Sequence, residues 1–95
     1  MTYLELITAL EARTGYRLLP TPDDTFLTEV TQMIYNWCAL TSPQAKVERA
    51  AVVNSLGPLR REFMAGMGSA HDFRKLNQLI EAIDAEFDDA HNRQA

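Results

Sequence analysis

The stretch from Phe73 to Phe87 constrains the fold more than any other part of the chain. Phe73, Leu76, Ile80, Ile83 and Phe87 recur at 3-4-3-4 spacing, which draws one apolar stripe along one side of a helix. Ser69 and Asp72 stand before it at capping-box spacing, with the shorter acid in place of glutamate. A helix is therefore predicted over about 70–91. At roughly 1.5 Å per residue it is on the order of 30 Å long, and a stripe of that length has to be covered by other elements.

The rest of the chain supplies candidates. Thr2 and Glu5 form a capping box and Gly15 a left-handed stop, so a first helix is predicted over about 3–14 with Tyr3, Leu6, Ile7 and Leu10 on its apolar side. Pro20 and Pro22 hold the connector 16–22 extended, with Leu18 and Leu19 tacking it to the core. Asp23 or Asp24 caps a second helix over about 25–40, where Phe26, Val30, Met33, Trp37 and Leu40 make a stripe that Leu27, Ile34 and Cys38 widen. Ser42 followed by Pro43 reads as a cap with proline at the first helical position, which places a third helix over about 43–65.

That third helix contains the run Ala50, Ala51, Val52, Val53. Four consecutive apolar residues at about 100° each leave almost no polar side, so this turn is expected to be covered nearly all round. Gly57 and Pro58 interrupt it, yet Leu56, Leu59, Phe63 and Met67 keep helical spacing across them, which predicts a kink at 57–58 or a brief break and then a continuation. Gly66 and Gly68 end it. Nothing alternates with a period of two. The expected fold is all-α: one domain of 95 residues, a small four-helix bundle whose last two helices form a long antiparallel C-terminal hairpin.

Charge divides the chain more sharply than its net value of −4 suggests. Residues 1–42 hold five acids and two bases, 43–75 three acids and six bases, and 76–95 five acids and one base. Folding the hairpin back sets Lys46 and Arg49 opposite Asp84, Asp88 and Asp89, so half of this pattern is expected to be structural. The other half gathers Arg60, Arg61, Arg74 and Lys75 at the hairpin tip. There the GMGS turn opens a helix N-terminus, a place that favours anions. A turn with solvated or paired arginines competes with that reading. The acidic balance disfavours nucleic acid as a partner.

Signatures of chemistry are missing from the sequence. There is no H-E-x-x-H, G-x-S-x-G or C-x-x-C, and G-x-G-x-x-H at the turn lacks the third glycine and the preceding strand of a dinucleotide fingerprint. His71 and His91 fall at opposite ends of one helix. Asp84, Asp88 and His91 share a face but read as a solvated acidic strip. No catalytic residue, metal or cofactor is expected. No apolar run of about 18 residues occurs, and the opening residues carry Glu5 and Glu11 without a basic leader, so no membrane span is expected and the location is read as cytoplasmic. The lone Cys38 fits a reducing compartment and reads as a small buried hydrophobe.

What the sequence does offer is apolar helix surface in excess of what one small copy can hide. Phe63 lies on the helical series through Leu59 and reads as core. Met64 and Met67 are divided between core and contact surface, and with Arg60 and Arg61 beside them they combine residue types favoured at interfaces. The leading expectation is a non-catalytic interaction module, an adaptor, chaperone-like factor, regulator or inhibitor, acting as a homodimer. Its partner-binding residues are Arg60, Arg61, Met64, Met67, Arg74 and Lys75. The alternative is an anion or nucleic-acid binding module using the same basic tip.

Overall fold

Four helices follow one another in the computed structural model, which describes residues 1–94: α1 (Tyr3–Thr14), α2 (Thr25–Trp37), α3 (Arg49–Met64) and α4 (Ala70–Gln94). The class is all-α. No strand occurs among the described residues, and their one extended pairing is an isolated antiparallel bridge between Thr2 and Lys46. α1 packs on α4, α2 on α3, and α3 on α4. Their apolar faces close a common core in which Leu6, Ile7, Leu10, Leu27, Ile34, Leu56, Leu76, Leu79 and Ile83 are at most 1% exposed. The radius of gyration, 12.8 Å, is that of a compact chain of this length, for which about 12–13 Å is usual.

A helix start leaves four N–H groups without partners inside the helix. In α1 each is met: Tyr3 N–H donates to the Ala45 carbonyl at 3.0 Å, Leu4 to Pro43 at 2.8 Å, Glu5 to the Thr2 hydroxyl at 3.1 Å and Leu6 to the Thr2 carbonyl at 2.9 Å. The Glu5 carboxylate takes the Thr2 N–H in return at 3.4 Å, completing the capping box. This arrangement overturns the predicted start of the third helix at 43. Segment 43–47 delivers its carbonyls to α1 and closes on it through Val47 N–H to the Met1 carbonyl at 2.9 Å, with Val47 only 4% exposed. A local cap signal has lost to a non-local pairing, and α3 begins at Arg49, after Glu48 as an N-cap without a side-chain bond.

The second helix also ends earlier than its periodicity implies, at Trp37 and not at 40. Ala39 N–H donates to Asn36 at 3.1 Å and Leu40 N–H to Tyr35 at 3.3 Å, the paired bonds of a Schellman cap, which needs a left-handed residue at its turn. Ala39 takes that conformation at φ 52. In exchange Leu40 folds back, half-buried, onto the core. A Cβ in this region is disfavoured by about 1–2 kcal/mol. After allowing for glycine's larger entropy when unfolded, Ala39→Gly is expected to raise stability by about 0.5–1 kcal/mol in thermal or denaturant melts.

α3 runs unbroken through Gly57 and Pro58. A residue before proline clashes with the ring through its own Cβ when helical, and Gly57 has none. Pro58 supplies no N–H to the Asn54 carbonyl, but Asn54 is exposed, so water can serve that acceptor. The expectation that residues 50–53 are covered all round fails. Val52 is fully buried, Val53 is 42% exposed, and Ala50 is exposed, because α2 and α4 meet α3 on one side only.

Tyr3 is the most telling polar group of the core. Its ring meets Tyr35 edge-on, centroids 5.3 Å apart, and its hydroxyl donates to the Thr31 carbonyl at 3.3 Å. Burial, then the neighbouring Tyr35 and Cys38, push the hydroxyl up to about 12 from its ordinary 10.0. The folded state therefore holds this proton more tightly than the unfolded one. Its contribution to stability is complete below pH of about 10 and is lost as pH rises from about 10 towards 12. In denaturant melts across that range Tyr3→Phe is expected to flatten the decline.

Ion pairs tie the ends of the helices together. Arg49 reaches Asp84 at 3.0 Å and Asp88 at 2.6 Å, while Arg13 on α1 holds Glu86 at 3.0 Å and also Asp89. Asp89 is thus paired with α1, and the expectation that it faces Lys46 or Arg49 is corrected. α4 lies between α1 and α3, so its acids divide according to the side of the helix they leave.

Candidate protein-interaction surface

The end of α3 and the start of α4 are joined by a turn whose backbone is closed by hydrogen bonds. Gly66 N–H donates to the Phe63 carbonyl and Met67 N–H to that of Glu62, both at 3.0 Å, a Schellman cap with Gly66 at φ 91 as its left-handed residue. Ser69 then opens α4, its hydroxyl accepting the Asp72 N–H at 3.1 Å and its carbonyl the Phe73 N–H at 3.0 Å. Beneath lie three rings from three helices. Phe63 meets Phe26 edge-on at 5.7 Å and stacks on Phe73 at 5.6 Å with 14° between planes. Gly68, at φ 88, sits directly against them, and a Cβ there would fall 2.2 Å from Cε1 of Phe63. The turn is clamped to the ring triad.

Above this base the sequence's candidate residues emerge. Met64 is 69% exposed and Met67 62%, large values for thioethers on a small protein. Arg60 lies one turn before Met64 on the same face of α3. Arg61 runs back along the helix, its Nη1 3.9 Å from where a Cβ of Gly57 would stand. Arg74, on the first turns of α4, is exposed as well. None of these three arginines makes an ion pair among the described residues.

Lys75 does not join them. Its ammonium pairs with Asp24, which also caps α2 by accepting the Leu27 N–H at 2.8 Å, and the lysine side chain is only 13% exposed. The shared hydrogen bond is the largest cause both of the raised lysine pKa and of the lowered aspartate pKa. One residue along a helix is a rotation of about 100°. Arg74 therefore points to solvent where Lys75 points to α2.

Periodicity misplaced Trp37. Helical spacing assigns it to the core stripe of α2, yet it is the helix's last residue and is 64% exposed. Together with Val53 and Leu4, the latter 38% exposed, it adds apolar surface outside the turn. The one cue would have been an early stop to α2, and an alanine in the left-handed region gives no warning of that. Cys38 is half-buried, and burial raises its thiol pKa. Asp84 and Asp88 hold Arg49, and no three metal-binding side chains gather among the described residues. Nor is any helix of the described residues long and apolar enough to cross a membrane.

No protein-family model matches the chain, and no curated protein or solved structure is significantly similar to it.

Proposed function

We propose that this chain is a non-catalytic protein–protein interaction module, an adaptor, chaperone-like factor, regulator or inhibitor that works by presenting helical surface in the cytoplasm and associates as a homodimer. One observation carries the reading: a compact single copy with a closed core still exposes Leu4, Trp37, Val53, Met64 and Met67. Single exposed apolar residues are ordinary on any protein. Tryptophan and methionine at more than half exposure are different, because these side chains are concentrated at interfaces and each leaves a large apolar area in water.

Size measurement tests the self-association directly. Light scattering at micromolar concentration is expected to give twice the mass of the chain. A strict monomer that also binds no hydrophobic dye would remove the basis of the proposal.

A further inference from the structure

We infer that the α3–α4 turn is the docking site for an acidic segment of another protein that also carries apolar side chains; the inference rests on the interaction reading above and names the partner's chemistry at one surface. Three observations converge on it. The turn is fixed by its own hydrogen bonds and by the packing of Gly68 on Phe63, so little order has to be created when a partner binds. Met64 and Met67 stand out from that base, and methionine's flexible, polarisable side chain adapts to apolar partners of varied shape. Arg60 stands one turn before Met64 on the same face, and Arg60, Arg61 and Arg74, on the helix ends that the turn joins, are exposed and make no ion pair among the described residues.

The charge pattern says where the missing carboxylates come from. Among the other cations of the described residues, Arg13 is answered by Glu86 and Asp89, Arg49 by Asp84 and Asp88, and Lys75 by Asp24, while Arg17 and Lys46 make no ion pair. A second copy therefore brings four of its five C-terminal acids, Asp84, Glu86, Asp88 and Asp89, already engaged, and a different, acidic protein fits the turn better. Nucleic acid fits it less well. Net charge is −4, the centre of the surface is two thioethers, and the nearest rings, Phe63 and Phe73, are stacked on each other where they offer no platform to a base.

The full-length chain can be titrated against three labelled probes. One is a synthetic amphipathic helix with leucines on one face and glutamates on the other. The second is the same helix with lysines for the glutamates, and the third a single-stranded oligonucleotide. The glutamate helix is expected to bind, more weakly as salt rises, and the lysine helix is not. Arg60→Glu with Arg61→Glu, and separately Met64→Ser with Met67→Ser, are each expected to weaken binding by about tenfold or more, while Arg17→Glu leaves it unchanged. All of these positions are exposed, and coincident thermal melts show that each variant is folded. The inference is overturned if the glutamate helix fails to bind at low salt, if the lysine helix binds equally, if the arginine reversals change nothing, or if the oligonucleotide is preferred. A dimeric mass together with no peptide binding removes this docking site and leaves the interaction reading standing, whereas a monomer without dye binding removes that reading on separate grounds.

Discussion

Gly68→Ala is expected to lower stability by about 2–5 kcal/mol, a large part of the roughly 5–15 kcal/mol typical of a small domain. Two costs add. At φ 88 any side chain is strained, by about 1–2 kcal/mol. The new methyl would also stand 2.2 Å from Cε1 and 2.8 Å from Cδ1 of Phe63, so the ring or the turn must move. The ring has little room: Phe26 meets it from α2 and Phe73 lies flat against it from α4. Overpacking of this kind costs about 1–3 kcal/mol. Gly66→Ala is the matched control. Its φ is similar at 91, but no atom lies within 4 Å of the new Cβ, so only the conformational cost of about 1–2 kcal/mol applies. Denaturant melts of the two variants side by side isolate the ring contact, and equal losses would show that the turn is not clamped to the rings.

Aspartate at Val52 and at Val53 should have opposite outcomes. Val52 is fully buried in the face of α3 that meets the core. A carboxylate there finds no partner, and an unpaired buried charge costs several kcal/mol even after the protein relaxes or the group takes up a proton. Val52→Asp is expected to abolish cooperative folding as followed by circular dichroism. Its neighbour, 42% exposed, tolerates the same change at the cost of helix propensity, well under about 1 kcal/mol. Val53→Asp should therefore fold. On the dimer proposal it is also expected to weaken self-association, an effect visible as a lower mass at the same concentration. Val52→Asp folding as well as Val53→Asp would contradict the register of α3.

The elements that local chemistry specifies could be read from the sequence. Thr2 with Glu5 opens α1 and Gly15 ends it, so its limits follow from a capping box and a left-handed glycine. Asp24 and Ser69 open α2 and α4 in the same way. Features settled by distant parts of the chain were not legible. The cap signal at Ser42 and Pro43 is sound chemistry, but the first residues of the chain take the carbonyls of Pro43 and Ala45 before a helix can form. α2 stops at a left-handed alanine, which no propensity announces. Coverage of residues 50–53 depends on how many helices surround α3, and two is too few to bury all four. At the turn Arg60, Arg61 and Arg74 are exposed, and so are Met64 and Met67, which the spacing left divided between core and contact surface. Lys75 was misassigned because its partner, Asp24, is separated from it by most of the chain and by a helix rotation that charge counting ignores.

Trp37 gives the most direct test of whether the exposed apolar surface is covered in solution, since it is the only tryptophan of the chain and is 64% exposed in a single copy. Its emission maximum and its quenching by acrylamide can be followed from nanomolar to high micromolar concentration, alongside the mass from light scattering. A partner that covers it should shift the emission to shorter wavelength and protect the indole as the mass doubles. Emission that stays red-shifted and freely quenched throughout, with the mass remaining that of one chain, would contradict the account.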